Sequence, residues 1–83
     1  MKKALETWGL DSQILMSIEE MAELTQALLK QHFREYKPYT KEQVIDEIAD
    51  VEIMMIQMKM IYGEELIEKR ISEKIERLQK RLE

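Results

Sequence analysis

Residues that commonly end helices are scarce in this chain of 83 residues, which holds two glycines and one proline. These three are Gly9, Pro38 and Gly63. Between them, apolar residues recur at the three- and four-residue spacing of an amphipathic helix. The sequence therefore predicts an all-α fold, built as one domain (residues 1–83) from a few long helices.

The first long helix is predicted to begin at Asp11 or Ser12, because either side chain can cap a helix. It runs to about Phe33, where a connector over residues 34–39 begins. Residues 1–10 form either a short helix or an arm.

Two further helices follow the connector. Thr40 and Gln43 have the spacing of a capping box, so the second helix is predicted to begin there. Gly63 is a natural residue to end it. The third helix runs from about Glu64 towards Glu83.

The second helix is apolar on two faces when it is projected at about 100° per residue. A helix of this kind is buried between neighbours. Three short helices in one small chain cannot cover both faces, and the chain has no cysteine for a disulfide. We therefore expect a homodimer or homotetramer in which several chains form a multi-helix bundle.

Four carboxylates occupy unusual positions on these helices. Glu47 projects into the main apolar face of the second helix, with Asp50 at its edge, and Glu20 and Glu23 form a matching pair on the first helix. Members of each pair are three residues apart and share a face. Facing pairs would gather four negative charges, which a divalent cation neutralises. Oxygen ligands favour Mg²⁺ or Mn²⁺, and His32 does not follow a glutamate at the spacing of di-iron bundles.

The same residues carry a family resemblance that covers about residues 8–82. Residues 18–24 (IEEMAEL) and 46–51 (DEIADV) look like the EExxE…ExxD signature of MazG-like, all-α nucleoside triphosphate pyrophosphohydrolases. The resemblance implies an enzyme that uses Mg²⁺ to hydrolyse a nucleoside or deoxynucleoside triphosphate to the monophosphate and pyrophosphate. The chain is short and lacks the extra C-terminal segments of some relatives, so base-selecting residues are either missing or supplied by another subunit.

Residue roles follow from this resemblance. It implies that Glu20, Glu23, Glu47 and Asp50 bind the metal. Glu19 matches the first glutamate of the motif and would orient or deprotonate the attacking water beside Glu20. The alternatives are a phosphoribosyl-ATP pyrophosphohydrolase and a non-catalytic oligomerisation or adaptor module whose acidic cluster binds a basic partner.

Other candidate residues bind the rest of the nucleotide. On the third helix Lys74 and Arg77 belong to a basic flank and are predicted to contact phosphate; a solvated surface with weak ion pairs is the alternative. Trp8 either stacks on a base or fills a hydrophobic gap. Gln13 could hydrogen-bond a nucleotide, but a solvated side chain is the default expectation.

The net charge of −4 argues against nucleic acid as a partner. No apolar run is long enough to span a membrane, and no signal peptide is apparent. With no cysteine, these features lead us to expect a cytoplasmic protein. The sequence does not indicate which base or sugar is preferred.

Overall fold

The structure is a computed structural model that describes residues 2–33 and 40–83. These residues form four α-helices and one π-helical turn, with no strand among them: α1 (Lys2–Trp8), α2 (Leu10–Leu28), the π turn (Leu29–Phe33), α3 (Lys41–Tyr62) and α4 (Glu64–Leu82). The all-α prediction is confirmed, and the segment before the first long helix is a short helix. The predicted connector lies outside the described residues.

The start of α2 differs from the prediction. Gly9 is the N-cap, with a φ of 86°, and no side chain caps the helix. Asp11 and Ser12 therefore lie inside the first turn, and the prediction that one of them is the cap was wrong. Asp11 still favours the helix from there, because a negative charge near the N-terminus interacts well with the helix dipole.

The end of α2 is a π-helical turn rather than a clean stop. Regular α-helix ends at Leu28, and Leu29–Phe33 continue as a π-helix. Helical backbone thus extends to Phe33, the last described residue before the predicted connector, with a changed hydrogen-bond pattern over Leu29–Phe33.

Both ends of α3 match the sequence prediction. The backbone N–H of Thr40 donates to Gln43 Oε1 at 2.8 Å, and the backbone N–H of Gln43 donates to Thr40 Oγ1 at 3.4 Å. At the other end Gly63 has a φ of 112°, a backbone conformation that side chains disfavour. Its N–H donates to the carbonyl of Lys59 at 2.9 Å, and its own carbonyl accepts from Ile67 at 3.1 Å. Gly63 therefore joins α3 directly to α4.

The main helix contact joins α2 to α3, and α1 touches both. By contrast α4 contacts α3 near the Gly63 turn, where Lys59 Nζ lies 2.6 Å from Glu68 Oε1. Few described side chains are buried, and most of those are polar: Ala27, Met54, Gln13, Ser17 and Gln57. The expectation that Gln13 is solvated was wrong, since it is 1% exposed.

Much apolar surface stays uncovered in the single chain. Its accessible area is 6977 Å², whereas a folded monomer of this size exposes about 5,200 Å². Its radius of gyration is 15.8 Å, against roughly 12 Å for a compact domain of this length. Among the described residues, no helix is long and apolar enough to span a membrane.

Candidate metal centre

Three of the four predicted metal ligands lie together between α2 and α3. Glu20 and Glu23 are one turn apart on α2, and Glu47 faces them from α3. One carboxylate oxygen from each lies within 4.8 Å of the other two. The intrahelical spacing places the α2 pair on one face, and the packing of α2 on α3 brings in Glu47.

Two of these carboxylates have an oxygen cut off from water and from partners. Glu20 and Glu47 are half-buried, and Oε2 of each is a buried atom without a hydrogen bond. Glu23 is exposed at the edge of the cluster. A buried oxygen without a partner is costly, so each of these atoms lacks the hydrogen-bond donor or cation that would stabilise it.

The electrostatics of the cluster oppose ionisation. Burial raises the pKa of Glu20 above its ordinary value, and the neighbouring charges of Glu23, Asp50 and Glu47 raise it further. Burial is also the largest cause of the raised pKa of Glu47, and the charges of Glu23, Asp50 and Asp46 raise it further. The surroundings of Glu20 and Glu47 therefore disfavour the ionised forms of both carboxyl groups.

Asp50 and Glu19 lie at the margin of this group. Asp50 is exposed and is not one of the three carboxylates that converge, but its charge acts on both Glu20 and Glu47. Glu19 is exposed on α2, next to Glu20 in the chain. Both can reach water beside the cluster without being buried in it.

An open cavity of about 470 Å³ adjoins the carboxylates. Ala22, Glu23, Gln26 and Glu47 line it. This volume falls within the range of small-molecule sites. Gln26 was not singled out from the sequence, although its position three residues after Glu23 puts it on the same face.

The predicted phosphate and base residues lie elsewhere in the single chain. Lys74 and Arg77 line a separate groove on α4, together with Leu78 and Arg81. Trp8 ends α1 and is 62% exposed, so its indole neither fills an internal gap nor lines the cavity beside the carboxylates.

The donor set fits a hard divalent cation. Oxygens bound to one Mg²⁺ lie at most about 4.2 Å apart, twice the usual bond length. The carboxylates of Glu20, Glu23 and Glu47 could share one ion after small rotations, and the two buried oxygens would gain a partner. Asp50 is outside this group of three, and only its charge interaction with Glu20 and Glu47 links it to the site.

The fold and the site together define a class: an all-helical chain with a carboxylate centre between two packed helices. No family model matches the chain, and no curated protein or solved structure matches it. Any assignment beyond that class therefore depends on this chain's own residues.

Proposed function

We propose that this protein is a subunit of a Mg²⁺-dependent nucleoside triphosphate pyrophosphohydrolase, which releases the nucleoside monophosphate and pyrophosphate. The observation that supports this most directly is the convergence of Glu20, Glu23 and Glu47, with two buried oxygens lacking any partner. These are the residues that match the EExxE…ExxD pattern. The adjoining cavity has room for phosphate groups and water.

The chain's own residues would have separate roles in this reaction: metal binding, proton acceptance and orientation of the attacking water. Glu20, Glu23 and Glu47 would hold the cation, with Asp50 at the edge. Mg²⁺ there would neutralise phosphate charge and lower the pKa of a bound water. Glu19, exposed beside Glu20, accepts the proton of the attacking water, and Glu20 orients that water.

Phosphate binding by Lys74 and Arg77 is the part of the proposal that one chain does not provide alone. Both residues lie on α4, which contacts α3 at the Gly63 end. Guanidinium and ammonium groups suit a triphosphate and its leaving pyrophosphate.

A substrate panel tests the function. Nucleoside triphosphates, deoxynucleoside triphosphates and phosphoribosyl-ATP are incubated with Mg²⁺, and pyrophosphate and orthophosphate are measured separately. Pyrophosphate without orthophosphate is expected for at least one substrate. Pyrophosphate released from phosphoribosyl-ATP but from no nucleoside triphosphate would point to the alternative substrate class, and orthophosphate without pyrophosphate would contradict the proposal.

Glu47→Gln tests the site. The variant should lose turnover and calorimetric Mg²⁺ binding while remaining folded or becoming more stable, because it removes a buried repelling charge. Glu73→Gln, an exposed carboxylate on α4, is the matched control and should behave as wild type. Unchanged turnover in Glu47→Gln would remove the basis for the site.

A non-catalytic adaptor is the second candidate, and the exposed apolar residues on α3 and α4 favour it. The two candidates differ in their need for metal. An adaptor would bind its partner equally well in Mg²⁺ and in chelator, whereas the enzyme would lose its activity in chelator.

A further inference from the structure

The face of α3 that points away from α2 is apolar and bordered by acids. Four of its apolar side chains are 39–50% exposed: Ile45, Ile53, Ile56 and Met60. Three exposed carboxylates lie within or beside the same face when it is projected at about 100° per residue, and they are Glu42, Asp46 and Glu52. We call these seven residues the outer face of α3.

A groove of about 340 Å³ opens at one edge of this outer face, lined by Glu52, Met55, Ile56 and Lys59. Lys59 is already paired with Glu68 at 2.6 Å. The negative charge of Glu52 is therefore available to a cation from outside the chain.

The exposed part of α4 has the opposite character. Ile71, Ile75, Leu78 and Leu82 recur at alternating four- and three-residue spacing, which places them in one stripe, and all four are exposed. Lys74 and Arg81 border this stripe on one side. A groove of about 320 Å³ along that side is lined by Leu78 and three cations, with no carboxylate: Lys74, Arg77 and Arg81.

We propose that the α4 stripe of a second copy of this chain docks on the outer face of α3, and that the exchange is reciprocal in a two-fold dimer. Apolar residues then cover apolar residues, and cations border carboxylates. Around a two-fold axis each contact occurs twice, which closes the assembly. Docking requires no catalytic activity.

The charges favour this pairing over two simpler arrangements, which are α3 packed on α3 and α4 packed antiparallel on α4. Two outer faces of α3 packed together would bring the carboxylates of both copies into proximity. Two antiparallel α4 stripes would set Lys74 of one copy near Arg81 of the other, because flanking residues on the same edge face each other. Both arrangements place like charges together, which costs free energy.

Length and area agree with the α3–α4 pairing. Ile45 to Met60 spans about 22 Å of helix and Ile71 to Leu82 about 16 Å, at 1.5 Å per residue. The surface in excess of a compact monomer, about 1,700 Å², exceeds the roughly 800 Å² that each partner buries in a standard interface.

Crosslinking tests the pairing directly, because the chain has no cysteine of its own. Ile56→Cys and Leu78→Cys are made as separate variants, mixed in equal amounts, and treated with a short bismaleimide. Intact mass spectrometry should show the mixed Ile56→Cys/Leu78→Cys product in excess of both symmetric products. A dominant symmetric product would overturn the proposal.

Charge reversal provides a second, independent readout. Lys74→Glu/Arg81→Glu should raise the dimer dissociation constant at least about tenfold in sedimentation equilibrium. Adding Asp46→Lys/Glu52→Lys should restore most of that loss. Lys69→Glu/Lys80→Glu makes the same charge change on the far side of α4, and should alter the constant by no more than about twofold.

These outcomes separate docking from catalysis. A monomeric wild type at micromolar concentration would overturn the proposal. The proposal would also be overturned if the control Lys69→Glu/Lys80→Glu weakened assembly as much as Lys74→Glu/Arg81→Glu. It would be overturned too if the variant that carries all four interface substitutions assembled more weakly than either double variant. Each is measured without substrate, so loss of the proposed activity would leave the docking result intact.

Discussion

Glu47 is a single residue whose position in the sequence predicts a site. A carboxylate inside an apolar helix face predicts a compensating partner, because the charge is costly there. The structure places Glu47 half-buried beside Glu20 and Glu23, with an oxygen that has no partner. Its position could be predicted because spacing within one helix fixes which side chains share a face.

The raised pKa values of Glu20 and Glu47 predict a pH-dependent stability. Between the ordinary carboxyl pKa of 4.5 and the raised folded-state value, the folded chain holds more protons than the unfolded chain. The free energy of unfolding of the metal-free protein therefore falls as pH rises across that interval. Relative to Glu47→Gln, wild type should lose stability between pH 4.5 and neutrality in urea titrations.

Saturating Mg²⁺ should remove most of this difference at neutral pH, because bound metal stabilises the ionised carboxylates. The control is the metal-free comparison of wild type with Glu47→Gln at pH 4.5 and at neutral pH. An equal difference in unfolding free energy at these two pH values would contradict the raised pKa of Glu47.

Gln13 and Gln57 mark the limit of prediction at this scale. Both are about 2% exposed or less, yet glutamine is usually a surface residue. Their burial depends on which helices pack against them, and the pattern along one helix does not carry that information. The sequence consequently placed Gln13 in solvent.

Among the elements, α3 was the most predictable because its ends depend on local chemistry. The Thr40–Gln43 capping box and the positive φ of Gly63 are each set within a few residues. The start of α2 was misplaced because its cap is a glycine with no side-chain hydrogen bond, so Asp11 and Ser12 gave the stronger but incorrect signal. The π turn at Leu29–Phe33 has no comparable local signature.

Thr40→Ala tests the cap of α3. Removing the hydroxyl leaves the backbone N–H of Gln43 without its side-chain acceptor, so the variant should lose about 1 kcal/mol of unfolding free energy. Thr25→Ala is the matched control. The Thr25 hydroxyl donates to the carbonyl of Met21 within α2, and alanine is the better helix former there, so chemical denaturation should show equal or higher stability.

The basic flank of α4 makes a kinetic prediction. If Arg77 contacts phosphate, Arg77→Ala should lower kcat/KM by roughly 10- to 100-fold, equivalent to about 1.4–2.7 kcal/mol. Arg77→Lys should recover only part of the loss, because lysine keeps the charge without the bidentate geometry.

Glu73→Ala, on the same helix and away from the basic flank, serves as the kinetic control. Equal effects of Arg77→Ala and Glu73→Ala in steady-state measurements at low salt would show that the flank is only a solvated surface.

At the scale of the whole molecule, the chain is a thin layer of helices with extents of 46 × 40 × 16 Å. Only Ala27 and Met54 are buried apolar residues among those described. The two-faced apolar pattern of α3 anticipated this shortage of core. The pattern along one helix does not identify the surface that would cover it, because in the proposed dimer that surface belongs to a separate chain.

Unfolding should therefore depend on protein concentration. If folding and assembly are coupled, each tenfold rise in concentration should raise Tm by roughly 3–6 °C in calorimetry at a fixed scan rate. A Tm that does not change over two decades of concentration, together with a sedimentation mass of one chain, would show that the isolated chain is self-sufficient.

The 16 Å thickness also has a genetic consequence. In the proposed dimer each chain covers apolar surface of the other, so a substitution that unfolds one copy would expose that surface on its partner. In a cell that makes both forms, the damaged chain would draw sound chains into unstable pairs, and the defect would be dominant. A substitution that only inactivates the carboxylate centre would leave the partner's fold intact and would act in proportion to its dose.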